Sequence, residues 1–176
     1  MRINIHQFER SLAIFLLLTF PILIITTGKV LPSISSYAYS SQHNLFVALL
    51  TIAATMFLYN YAGNNKHWYN IILGISLLGI ALTPFKENGF AHFTFAGIFF
   101  GTSIFSIGLS SSIYLRKYKW YIAIFSALGL GLVPFGFYSL AIGEFIAMLP
   151  ISFHFYIKSL DAAKQNNFFI KILFNK

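Results

Sequence analysis

The sequence predicts an all-α membrane protein: a polytopic bundle of six transmembrane helices with both termini in the cytoplasm. Two compositional facts carry this expectation. Of the 176 residues 57% are hydrophobic and 9% charged, where a soluble domain carries about 25% charged residues. Glu9, Glu87, Glu144 and Asp161 are the only carboxylates in the sequence. A water-facing surface cannot be assembled from so few.

The spans follow from length. Crossing hydrocarbon as a helix takes about 20 mostly apolar residues. Stretches of that kind run over residues 11–31, 44–62, 68–85 and 90–115. The next apolar block, about twice a span, is divided at Pro134–Phe135–Gly136 into 119–137 and 139–158. Proline disfavours helix at the residue before it, and glycine permits a tight turn. Arg2 and Arg10 before the first apolar run also suit a signal peptide, but no small-x-small cleavage site follows. Residues 159–176 mix lysine with Phe168, Phe169, Ile172 and Leu173. They read as a basic amphipathic cytoplasmic tail, lying on the inner membrane surface or solvated.

The cations set the orientation. With the termini inside, Arg2, Arg10, Lys66, Arg116, Lys117, Lys119, Lys158, Lys164, Lys171 and Lys176 are cytoplasmic, and only Lys29 and Lys86 are outside. That is the positive-inside pattern. It absorbs the net charge of +8, so no nucleic-acid partner is expected. Tyrosine and tryptophan prefer the membrane–water interface. Tyr59, Trp68, Tyr69, Trp120 and Tyr121 fall near inner ends, and Tyr37, Tyr39 and Tyr138 near outer ends. The bacterial inner membrane is the expected location.

Small residues bring membrane helices close together. Gly97, Gly101 and Gly108 stand at such spacing on the fourth helix, and Ala123, Ala127 and Gly131 on the fifth. They are expected to mark contacts within the bundle, with a seam between two copies as the alternative. Another face of the fourth helix reads His92, Ala96, Phe99, Ser103, Ser106 and Ser110. It should point inward, although serines in such helices also bond their own backbone.

Glu144 is the foremost candidate for function. It sits inside the sixth helix, where an ionisable group costs on the order of 2.5–3.5 kcal/mol. Two readings stand: a proton or ligand site, or a protonated carboxyl bonded to a neighbouring helix to fix the fold. His92 begins the fourth helix at the same depth and is either its partner or a hydrated interfacial side chain. His43, at the outer start of the second helix, adds a third ligand type. Two histidines and one glutamate suit zinc, but the three lack a diagnostic spacing, so no metal or other cofactor is expected. The outer connection from Lys29 to His43, with Pro32 and its serines, reads as a cap over the bundle mouth or as a plain connector. Ser35 and Tyr37 in that cap, with His92 and Glu144, are the expected lining of a polar pocket. No cysteine is present to supply a thiol nucleophile or a disulfide, and no phosphate loop or nucleophile elbow occurs.

A run of motifs resembles a known family. Pro32-Ser33-Ile34-Ser35-Ser36-Tyr37 is followed by Asn44-Leu45-Phe46-Val47, Tyr59, Gly63, Asn70, Gly74 and Ala81-Leu82-Thr83-Pro84. His92, Ala96, Phe99-Phe100, Glu144 and Ser152-Phe153-His154-Phe155-Tyr156-Ile157-Lys158 come after. This order is similar to that of uncharacterised bacterial six-helix membrane proteins, loosely like the DRAM/Frag/Sfk type. The resemblance implies six helices and an outer Ser-Ile-Ser-x-Tyr loop, and it singles out His92 and Glu144. The chain departs from the pattern with His43-Asn44 in place of Arg-Asp, and with Lys158-Ser159 in place of Lys-Gly. The expected function is a non-enzymatic module binding membrane lipids, a protein partner or a second copy of itself. The alternatives are an enzyme acting on lipid head groups, with His92 or Glu144 as general base, and a small proton-coupled transporter using Glu144.

Overall fold

The computed structural model describes the backbone of residues 5–65, 67–109 and 116–174, and the side chains of 5–63, 67–107 and 120–160. Among the described residues the only regular structure is helical, with no strand. Helix α1 spans Ile5–Thr27, α2 His43–Asn60, α3 Trp68–Leu82, α4 Gly89–Leu109, α5 Arg116–Gly131 and α6 Leu140–Phe174. The backbone of residues 159–174 continues α6 as one helix and does not form a separate segment. Ser110 and Ser112 lie outside the described residues, as do the side chains of most of the basic tail.

Among the described residues, four helices are long and apolar enough to cross a bilayer: Ile5–Thr27, His43–Gly63, Gly89–Ile107 and Leu140–Leu160. Trp68–Leu82 and Trp120–Phe135 are apolar but shorter. The 15 residues of α3 rise about 22 Å, against roughly 30 Å of hydrocarbon. Several hydroxyl groups within the helices bond their own helix, whereas Ser126 of α5 donates across to the Ile146 carbonyl of α6. Thr19 donates to the Phe15 carbonyl, Thr55 to Thr51, Ser76 to Ile72 and Ser152 to Met148. On α4, Ser103 donates to the Phe99 carbonyl and Ser106 to that of Ser103. This part of the serine face therefore bonds its own backbone.

The ends of the helices shape the loops. Gly28 takes a positive φ of 68°, and its N–H donates to the Ile24 carbonyl at 2.8 Å. This left-handed cap stops α1. The chain then forms a 3₁₀ turn over Ile34–Tyr39, capped by the Ser33 hydroxyl, which accepts from the Ser36 N–H. Between α5 and α6 a short 3₁₀ turn at Val133–Phe135 ends on Gly136, whose φ is 76°.

Helices α1, α2, α3, α4 and α6 pack in a ring, each against the next, and α6 closes it against α1. Helix α5 packs outside the ring against α4 and α6. Phe57 of α2 lies at the middle of the core, 6.3 Å from the Phe99 ring on α4 and 5.7 Å from Phe155 on α6. The outside is strongly apolar: Phe90 is 88% exposed and Ile25 79%. The inside holds polar groups, among them Glu9, Asn60, Asn70, His92 and His154.

The expected small-residue contacts need correction. Gly97, Ala127 and Gly131 are exposed, and Ala123 is buried. A Cβ added at Gly97, Gly101 or Gly131 would meet nothing within 4 Å. The side chain position of Gly108 lies outside the described set. The close approaches occur instead at Gly74 against Leu58, Gly79 against Phe95, Gly129 against Ile146 and Gly143 against Val133. Small-residue spacing reveals that two helices can approach, but which face turns inward depends on the partner helix.

Candidate functional site

The α1–α2 connection folds over the mouth of the ring, and two of its adjacent residues grip two different helices. The Ile34 N–H donates to Glu144 Oε2 on α6 at 2.6 Å. The Ser35 hydroxyl and His92 Nε2 on α4 are 2.9 Å apart. His92 Nδ1 lies 2.7 Å from the Thr83 carbonyl at the end of α3. A carbonyl can only accept, so Nδ1 carries the proton. In the neutral imidazole Nε2 is then the acceptor, and Ser35 donates to it. The first turn of α6 is held as well, because the Ala141 N–H donates to the Pro32 carbonyl at 2.8 Å. Free N–H groups at a helix start need partners of this kind.

Ser35, His92 and Glu144 are all buried, and together they line a cavity of about 250 Å³ that Pro32, Phe85 and Leu140 also line. His92 and Glu144 thus share one cavity while bonding neighbouring loop residues. Beneath it lies a void of about 30 Å³, reaching Phe99 and Met148. Tyr37 does something else. It is fully buried, edge-on to Phe20, and its hydroxyl donates to the Lys29 carbonyl at 2.8 Å. It pins the loop to α1 and is not among the residues lining this cavity.

His43 stands apart from His92 and Glu144. It is exposed, with Nδ1 2.7 Å from the Ala38 carbonyl. No three His, Cys, Asp or Glu side chains among the described residues are grouped to hold a metal ion. The idea of a three-ligand set is corrected on geometry: His43 is turned to the Ala38 carbonyl, and the three side chains are not grouped.

Glu144 makes a specific prediction. Glu144→Gln keeps an oxygen for the Ile34 N–H and leaves stability nearly unchanged. Glu144→Leu leaves that N–H buried and unpaired, at a cost of about 1–3 kcal/mol. Unfolding curves in detergent micelles compare the two variants, and equal losses would contradict the role assigned to this bond.

A second polar cluster occupies the opposite end of the bundle, and sequence reasoning passed over it. Glu9 of α1 is wholly buried and lies 2.6 Å from Lys158 Nζ of α6, with His6 Nδ1 3.9 Å away. Tyr69 and His154 are in contact at 3.3 Å, and the Asn60 amide reaches Asn70 at 3.5 Å. His67, before α3, is held below the ordinary histidine range, first by burial and then by Lys158, with Glu9 opposing. The opposite charges near the start of the first helix and the end of the last were the available signal. Their 149-residue separation hid the pairing.

Residues 16–159 match a family model described as a family of unknown function, DUF7103. The chain belongs to the DUF7103 family. The matched region includes Ser35, His92, Glu144 and Lys158 but leaves out Glu9. No curated protein and no solved structure matches the chain.

Proposed function

We propose that this DUF7103 chain is a six-span protein of the bacterial inner membrane, with both termini cytoplasmic. In this reading it is a non-enzymatic module that binds lipid or a partner through a pocket near the outer face. The loop grip on Glu144 and His92 around one cavity carries the functional part. A buried carboxyl and a buried imidazole, each tied to the loop, build a polar lining where hydrocarbon would otherwise require none. The apolar exterior and the polar interior support the membrane, since the chain turns outward the residues that a soluble fold buries. Helices α3 and α5 are short for a span, and in this reading the turns that follow Leu82 and Gly131 supply the remaining depth. The order of motifs supports a loose kinship with DRAM/Frag/Sfk-type six-helix proteins.

The absence of native cysteine makes labelling a clean test. Single cysteines at Ser41 and Asn88 react with an impermeant maleimide in intact cells, and one at Gln7 reacts only after lysis. The reverse pattern would sink the topology. For the pocket, purified wild type carries co-purified lipid or another ligand visible by native mass spectrometry, and His92→Ala or Glu144→Leu loses it. Equal retention by both variants would remove the pocket reading.

One observation favours a second reading, an enzyme acting on lipid heads. Ser35, His92 and the Thr83 carbonyl form the nucleophile, base and orienting group of an activated serine. In that case Nε2 takes the hydroxyl proton as Ser35 attacks an ester carbonyl. The proton passes to the departing alcohol, and water then releases the acid. A fluorophosphonate that labels wild type but not Ser35→Ala would favour this reading, and absence of labelling would favour the binding module. A proton-coupled transporter using Glu144 is the third reading. Unchanged proton flux in liposomes carrying Glu144→Gln would count against it.

A further inference from the structure

A second and larger cavity opens beside the Glu144 pocket. It holds about 620 Å³ and runs between the α1–α2 loop and the α3–α4 turn. That volume falls within the range of small-molecule sites, roughly 300–1,000 Å³, and the 250 Å³ pocket falls below it. Lys29 and Lys86 both line the groove. They are the two cations that the positive-inside reading puts on the outer side, and the fold brings them to one place. No carboxylate is among the lining residues.

Lys86 is positioned, not merely exposed. Its ammonium lies 4.5 Å from the Tyr39 ring centroid, and its backbone N–H donates to the Tyr39 hydroxyl at 2.7 Å. Tyr39 also packs edge-on against Phe85, which clamps the loop to the turn. Ser36 and Ser40 also line the groove, their hydroxyls bonded within the loop to Ser33 and to the Tyr37 carbonyl, and Leu31 and Phe85 give it an apolar wall. Two cations against an apolar wall match an anionic oxygen group attached to a greasy body.

We propose that this groove binds the phosphate of an anionic lipid headgroup, with Lys29 and Lys86 as its counter-charges. The proposal names the ligand class of the binding function above and rests on that reading for the presence of a membrane. A lysine near anionic lipid is worth about fivefold in affinity, so the pair contributes about 25-fold. The preference weakens as salt is raised.

The test is lipid retention by purified protein in detergent, read by native mass spectrometry with phosphatidylglycerol and phosphatidylcholine offered together. Wild type retains phosphatidylglycerol preferentially. Lys29→Gln/Lys86→Gln loses about 25-fold of that preference while keeping its helical circular dichroism. Lys164→Gln/Lys171→Gln, which neutralises the cytoplasmic tail, keeps the preference. Displacement by millimolar inorganic phosphate would make the site a receptor for free phosphate, and lack of displacement assigns it to lipid. The same preference in the Lys29/Lys86 double variant overturns the groove alone, even if Glu144→Leu abolishes lipid retention. A wild type that carries neither lipid overturns both the groove and the lipid-binding function.

Discussion

Lys158→Met lowers the stability of the bundle by about 3 kcal/mol, because it removes the ammonium that meets a carboxylate the fold has taken out of water. Glu9 is fully buried, and its carboxylate meets the Lys158 ammonium at 2.6 Å. The pair joins α1 to α6, the closure of the helical ring. Methionine keeps the length and apolar stem of lysine, so the loss reports charge and hydrogen bonding rather than packing. The double variant Glu9→Gln/Lys158→Met recovers at least half of the loss, since the buried carboxylate is then replaced by a neutral amide of the same shape. Reversible unfolding in mixed micelles measures all three proteins. A single-variant loss below about 0.5 kcal/mol would show that the pair behaves as an ordinary surface bridge.

Gly79→Ala costs about 2–3 kcal/mol, and Gly97→Ala and Gly101→Ala cost almost nothing. A methyl at Gly79 would stand 2.3–2.5 Å from three atoms of the Phe95 ring. The ring lies on α4, so the contact opens by rotating Phe95 or by spreading α3 from α4. Overpacking of this kind costs typically 1–3 kcal/mol. At Gly97 and Gly101 the same methyl meets open space, and alanine is the better helix former by about 1 kcal/mol. Unfolding of the three variants in one micelle system ranks them. If Gly97→Ala proved as damaging as Gly79→Ala, the α4 face bearing Gly97 would have to be covered by something beyond this chain, a second copy being the first candidate.

The pocket residues were legible to different degrees, for physical reasons. Glu144 and His92 drew attention because an ionisable group in an apolar run is costly wherever it lies. Their depth along the helices follows from counting residues, so a shared level was readable. The partners were not. Ile34 offers a backbone N–H, which any residue but proline has, and no side-chain pattern announces it. Tyr37 was expected in the pocket, yet its ring turns to Phe20 and its hydroxyl to Lys29. A 3₁₀ turn has about three residues per turn, so a loop residue two positions from Ser35 faces elsewhere. Glu9 was visible only as one of four carboxylates. It lies near the start of the first helix, where a charge usually finds water.

By itself the sequence determined the helical class, the apolar exterior and the positions where polarity interrupts hydrocarbon. Those properties are local: composition, period and charge along a single helix fix them before any partner is chosen. The tertiary structure alone decided which face of each helix is buried, and therefore which glycines are crowded and which lysines share a groove. It also decided that a loop backbone, not a second side chain, meets Glu144. The contacts of Glu144 and Glu9 join residues 110 and 149 positions apart, and only the packing of α6 against α1 and the loop after it brings them within hydrogen-bond reach.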